Sequence, residues 1–254
     1  MANYDLVFDG EDDYIEIPDS ADFSVATTGQ LSVSACIRPD VLTFPVFQST
    51  GYVHWMGKGE SGQHEWVFRM YNQDTTDTPP RPNRISFYVF NPSGGEGIGS
   101  YFQEPAQAGE WIHVVGTADE EKTTIYKNGD FKDCDRYTGT GPGPCHNYPP
   151  NRWITPAHGT ASLRIGTRDR ESFFLGAIRE VRIWSRALTV PEVGALYGGS
   201  VPQDGLVAEY LLRQGIAFWI VRAFIMVSSW GQAGFRRDRT GPHLKKPPVQ
   251  AVSP

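Results

Sequence analysis

Apolar residues along the chain recur at every second position in short runs. Leu31-Ser32-Val33-Ser34-Ala35-Cys36-Ile37-Arg38 alternates apolar with small polar side chains, the pattern of a strand with one buried face. Further predicted strands are Trp66–Met70, Ile85–Phe90, Trp111–Thr117, Thr123–Lys127, Leu163–Gly166 and Ala177–Trp184, all rich in β-branched and aromatic residues. Leu6–Phe8 and Tyr14–Ile17 flank Asp9-Gly10-Glu11-Asp12-Asp13, which predicts a hairpin around an acidic glycine turn. Asp119–Lys122 predicts a second hairpin, and Asn128-Gly129-Asp130 turns the chain again. One short helix is signalled by Thr189 as N-cap, Pro191 and Glu192 in the first turn, and Gly198-Gly199 as the stop. Leu206–Leu212 reads as a returning strand. Many short strands and one small helix predict an all-β, antiparallel sandwich.

Two stretches depart from this pattern. Residues 131–158 form a long loop rich in Gly, Pro, Asn, Tyr and His, and long loops in compact domains are usually functional or disordered. Residues 216–230 are nearly all apolar, interrupted by Arg222, too short a run for a membrane span, and read as one or two core strands. The expected organisation is a sandwich domain over 1–212, an apolar strand segment over 213–235 that completes or extends it, and a basic, Pro-rich tail over 236–254.

At 254 residues the chain can bury a core without disulfide or metal staples. A net charge of −6 disfavours nucleic acid and anionic membrane surfaces as partners, since phosphate contacts need a basic stripe. Neutral sugars, cations and protein surfaces stay open. Cys134 and Cys145 bracket a Gly/Pro-rich loop that a crosslink would order. The two readings are a disulfide there or two free loop thiols in a reducing compartment. Cys36 reads as a small buried thiol. No secretion signal is visible before the first strand pattern, so the expectation is release by lysis, export by another route, or a signal already removed. An extracellular, virion or appendage surface is favoured over the cytoplasm.

Four segments, in order, resemble the concanavalin A-like, laminin-G-like jelly-roll domains. They are Phe8–Pro18, Leu31–Pro39, Trp111–Val115 with Ile125–Gly129, and Gly176–Thr189 running into the short helix. Gly205–Tyr210 is similar to the strand that frames such domains. The resemblance implies two curved antiparallel sheets, with ligands taken by a binding module rather than transformed. It also implies a structural calcium ion, for which Asp9, Asp12 and Asp13 are the candidate ligands, with Glu11 beside them. Arg179 stands where this family commonly has Asp, and a cation there opposes calcium. No other cofactor is expected.

Glycosidases of this fold set acidic residues at alternating positions of one strand, so that they flank the scissile bond. No such run occurs, and Asp13 and Glu16 fall on opposite faces of a regular strand. No catalytic residue is therefore assigned. Sugars stack on aromatic rings while planar polar groups fix their hydroxyls. The loop candidates are Trp153, Tyr148, Arg152, His146, Trp55, His54, Tyr101, Tyr71, Arg168 and Arg170, with Tyr148–Trp153 the leading patch. Trp66, Trp111 and Trp184 lie in apolar strand patterns and read as core. The expected function is carbohydrate recognition. The alternatives are a structural or assembly protein, oligomerising through its C-terminal segment, and a hydrolase or lyase of the same fold.

Overall fold

The computed structural model describes residues 4–91, 97–214, 218–220 and 234–236. The chain runs through β1 (Tyr4–Asp9), β2 (Tyr14–Ile17), α1 (Val25–Thr28), β3 (Leu31–Pro39), β4 (Tyr52–Lys58), β5 (Trp66–Tyr71), β6 (Ile85–Phe90) and β7 (Gly97–Tyr101). It continues through β8 (Ile112–Ala118), β9 (Lys122–Lys127), β10 (Asp130–Arg136), β11 (His146–Asn147), β12 (Leu163–Ile165), β13 (Leu175–Trp184), α2 (Val190–Tyr197) and β14 (Leu206–Leu211). Three short strands follow: β15 (Arg213–Gln214), β16 (Phe218–Ile220) and β17 (Gly234–Arg236).

These strands form two sheets. One is ten-stranded, ordered β11-β10-β9-β8-β3-β13-β1-β15, with β14 on the far half of β13 and β16 on β14. The other is seven-stranded, ordered β17-β2-β12-β4-β5-β6-β7. The sandwich expected from the alternation is present. The first hairpin is not: β1 pairs with β13 and β2 pairs with β12, so the acidic turn carries the chain from one sheet to the other. A glycine turn between two apolar runs reverses the chain equally well within a sheet or between sheets, and only the strands' partners decide.

The core follows from the period of two. Leu31, Val33, Ala35 and Ile37 of β3 point inward beside Ile112, Val114 and Ala118 of β8. From the other sheet they meet Trp66, Phe68 and Met70 of β5 and Ile85, Phe87 and Val89 of β6. A bulge in β4 between His54 and Met56 turns Val53, Trp55 and Met56 all into this core. Trp55 stacks on Phe68 with centroids 4.6 Å apart.

Helix α2 covers part of the outer face of the ten-stranded sheet. It lays Val193 and Leu196 on Trp184, Val115 and Tyr126. Its start is fixed by Glu192, which accepts from the backbone N–H of Thr189 at 2.8 Å and pairs with Arg186. Trp111 is not a core residue: it is half-buried just before β8, with the guanidiniums of Arg179 and Arg38 4.1 and 5.4 Å from its ring centroid.

Candidate functional site

Among the described residues no helix packs on the outer face of the seven-stranded sheet. Strands β5 and β6 alternate, so each residue between two core residues points outward. Register then lays these side chains out in rows. Tyr52 lies opposite Tyr71 and His54 opposite Arg69. Arg69 lies opposite Ser86, and Ser86 opposite Tyr101. Val67 lies opposite Tyr88, and Tyr88 opposite Gly99. A Cβ at Gly99 would lie 2.6 Å from Tyr88 Cγ, so glycine there leaves the space the Tyr88 ring occupies. Tyr71 and Tyr88 form the floor, 1% and 9% exposed, while Tyr52, Arg69, Arg81 and Tyr101 are half-buried above it.

Two guanidiniums organise this face. Arg69 Cζ lies 4.7, 5.1 and 3.9 Å from the ring centroids of Tyr52, Tyr71 and Tyr88. Its Nη2 donates to the Tyr71 hydroxyl at 2.7 Å and its Nε to Ser86 Oγ at 3.4 Å. Arg81, from the loop after β5, stacks on Tyr71 and Tyr101 and donates to the Tyr88 hydroxyl at 3.1 Å. Asp77 Oδ2 accepts from Arg81 Nε and Nη2 at 3.1 and 2.5 Å. Burial pushes the Tyr88 phenol up, but Arg69 and Arg81 outweigh it and hold the group below a free tyrosine's value.

One side of the face ends at a carboxyl pair. Asp133 Oδ2 accepts the backbone N–H of Tyr101 at 3.1 Å, and Asp133 and Asp135 share a hydrogen bond. Burial, then the neighbouring Asp133 charge, pushes Asp135 up to about 7. Tyr148 donates its hydroxyl to Asp135 Oδ1 at 3.1 Å and lies near enough to Tyr88 to sense its charge. The loop bearing Tyr148 is tied to β10 by the Cys134–Cys145 disulfide and by the parallel pairing of β11 with β10.

The leading loop patch is therefore a physical cluster at the rim. His146 packs its ring on Tyr148 at 4.5 Å, and the Arg152 guanidinium lies 5.4 Å from that ring's centroid. Trp153, 37% exposed, donates its indole N–H to the Tyr148 carbonyl at 2.9 Å. Tyr71 and Tyr101 lie on the sheet face itself, in strands rather than loops. Two expectations need correction. Trp55 is fully buried inside β4, because the bulge turns it into the core. His54 is a strand residue too, 1% exposed, with Nδ1 3.5 Å from Asp169 Oδ2. Burial, then the Arg168 charge, lowers it to about 3, so the ring is neutral at pH 7. Arg168 is buried over Phe90 and held by Asp169. Arg170 is exposed and sits 3.8 Å from Glu60 Oε2. Neither arginine joins the Arg69 network. The sequence reading missed Arg69, Arg81, Tyr88, Asp133 and Asp135.

Two clusters of potential metal ligands occur among the described residues. Asp9, Asp12 and Asp13 bring one carboxylate oxygen each within 4.8 Å of one another, three of the six to eight oxygens calcium takes. Asp9 Oδ1 also accepts backbone N–H groups of Glu11, Asp12 and Asp13 at 3.0, 3.2 and 3.3 Å, which closes the turn. Arg179 does not face this turn; it lies 3.4 Å from Asp5 Oδ1. The second cluster, Asp19, Glu65 and His158, already surrounds a cation. The buried Lys58 ammonium contacts Glu65, Asp19 Oδ1 at 2.8 Å and the Gly159 carbonyl at 2.8 Å.

A family model described as the concanavalin A-like lectin/glucanases superfamily matches residues 9–194. Among curated proteins no relative matches the sequence. Several solved structures share the fold. A heptameric SAP-like pentraxin from Limulus polyphemus superposes with a TM-score of 0.51 at 13% identity, over 85% of this chain and 89% of that one. A protein of Bacteroides ovatus described as carbohydrate-binding gives 0.52 at 19% identity, over 84% of this chain and 53% of its own. The receptor binding domain of botulinum neurotoxin C/D mosaic serotype gives 0.53 at 15% identity, over 78% and 43%. The chain thus spans about half the length of the last two, and at these identities the likeness is one of fold. With the model match extending from the acidic turn to helix α2, the chain belongs to the concanavalin A-like lectin/glucanase superfamily.

Proposed function

We propose that the protein is a binding module without chemistry of its own, which takes carbohydrate on the outer face of the seven-stranded sheet. The observation that carries this reading is the Tyr52–Arg69–Tyr88–Tyr101 face, where half-buried rings and planar polar groups stand side by side. Rings of this kind stack on the apolar faces of sugars, and guanidinium and phenol groups meet hydroxyls. The Tyr148–Trp153 loop extends the same surface at its rim. The description of the Bacteroides neighbour as carbohydrate-binding agrees with the reading. So do the carboxyls: Asp133 and Asp135 share a hydrogen bond, whereas a glycosidase pair stands about 5 Å or more apart. The disulfide suits an oxidising compartment, so the module acts outside the cytoplasm.

Affinity electrophoresis through gels containing single polysaccharides tests this. The wild type is expected to be retarded by at least one of them, and Tyr52→Ala to run unretarded. Free migration of the wild type in every gel of a broad panel overturns the proposal.

A further inference from the structure

Two guanidiniums of the outer face, those of Arg69 and Arg84, have no ion-pair partner among the described residues. Among the described residues no carboxylate lies within 4.0 Å of Arg69, whose neighbours are three tyrosine rings, a serine and a tyrosine hydroxyl. Arg84, just before β6, accepts the Tyr71 backbone N–H on its carbonyl at 3.0 Å; its guanidinium donates to the Phe102 carbonyl at 3.2 Å and has no carboxylate within 4.0 Å either. Arg81 alone is paired, with Asp77. Among the described residues these three guanidiniums therefore have one carboxylate within 4.0 Å, that of Asp77, in a chain whose overall charge is −6; the Asp133–Asp135 pair stands at the edge of the face, on Tyr101 and Tyr148. His54, in the same row as Arg69, is neutral at pH 7 and adds nothing.

Desolvating a guanidinium is costly, and a ring cage offsets only part of that cost. A carboxylate is the partner whose geometry fits the fork, and charge-assisted pairs of this kind are about twice as strong as neutral hydrogen bonds. We infer, building on the carbohydrate reading above, that the site selects acidic sugars and that Arg69 receives the carboxylate of a uronate-type residue. The flanking rings of Tyr52 and Tyr101 take the sugar's apolar face. A peptide carboxylate is the weaker fit. Peptides dock on sheets by pairing main chain with main chain, and this face offers side chains only. The nearest edge strand, β7, already donates its Tyr101 N–H to Asp133.

The experiment is calorimetric titration of the full chain at physiological salt with polygalacturonate, fully methyl-esterified polygalacturonate, dextran sulfate, poly-glutamate and a neutral glucan. Polygalacturonate is expected to bind at least tenfold more tightly than its ester, and more tightly than dextran sulfate or poly-glutamate. Arg69→Gln is expected to bind acid and ester within twofold of each other, with Arg69→Lys in between, because lysine keeps the charge but loses the fork. Binding of the ester as tight as that of the acid overturns the inference while leaving the carbohydrate reading standing. So does exclusive binding of the neutral glucan. Equal binding to poly-glutamate or dextran sulfate also overturns it, since charge alone then suffices. No binding to any polysaccharide sinks both. The acid-against-ester comparison needs only the wild type, so a variant that fails to fold leaves the test intact.

Discussion

The hydroxyl of Tyr148 donates to Asp135 Oδ1 at 3.1 Å, and through it the rim loop is pinned to β10. Asp135 titrates near 7 in the folded protein, against 3.8 ordinarily. Between those values the folded state holds a proton that the unfolded chain has lost. This contribution to stability is therefore full below about 3.8, falls progressively as pH rises from there, and is gone above about 7. Asp135→Asn, which mimics the protonated carboxyl, is expected to remove it. Thermal melts of both proteins from pH 5 to 8 should show the wild type losing more Tm than the variant between pH 5 and about 7, with the two curves running parallel above that. Curves parallel throughout would show that the carboxyl pair does not titrate there.

His54 works in the opposite direction. Its folded value of about 3 lies below the ordinary 6.5, so the unfolded chain takes up a proton first as pH falls. Stability supported by the neutral ring is complete above 6.5 and is lost progressively below it. Two units below 6.5 the loss is roughly 3 kcal/mol. Denaturant melts of His54→Gln at pH 7 and 4.5 are expected to show a smaller acid loss than the wild type. His113, lowered to about 4 by burial and by Arg182, accounts for part of what remains.

Trp55 and Trp153 invite a paired comparison, since one is fully buried against Phe68 and the other is 37% exposed on the rim. Trp55→Ala leaves a large hole between the sheets and is expected to cost about 3–5 kcal/mol. Trp153→Ala is expected to cost less than about 1 kcal/mol and to weaken polysaccharide binding. Urea titrations with matched m-values measure the first, and gel retardation the second.

Reduction of Cys134–Cys145 releases a loop with a sequence separation of 11. The chain-entropy account gives about 3 kcal/mol for a loop of that size. A Cys134→Ser, Cys145→Ser double variant is expected to melt lower and to lose protection from hydrogen exchange in 145–153 before the rest of the fold. Uniform loss across all strands would show instead that the crosslink supports the whole sandwich.

Much of the fold was legible in the sequence because one buried face imposes a period of two. Leu31–Ile37 shows it plainly, and Thr189, Glu192 and Gly198 bound α2 as their chemistry requires. Strand β4 was missed because its bulge breaks the alternation and puts Val53, Trp55 and Met56 all inside. Strand β10 was missed because Asp130-Phe131-Lys132-Asp133 is polar and reads as loop. The tyrosine–arginine face was harder to find. Its residues lie in strands that read as core, and rows across a sheet exist only once register is known. Two local signals pointed to it: Arg69 inside the apolar run Trp66–Tyr71, and the paired glycines of Gly97-Ile98-Gly99.

Helix α2 gives the molecule a front and a back. One broad surface carries the helix over Trp184, Val115 and Tyr126, with Val190 and Tyr197 exposed at its two ends, and the other presents the tyrosines and arginines. Tethering the protein to a sensor chip through the helix side would leave the arginine side pointing into the flow. A copy anchored the other way round would keep its fold and go blind.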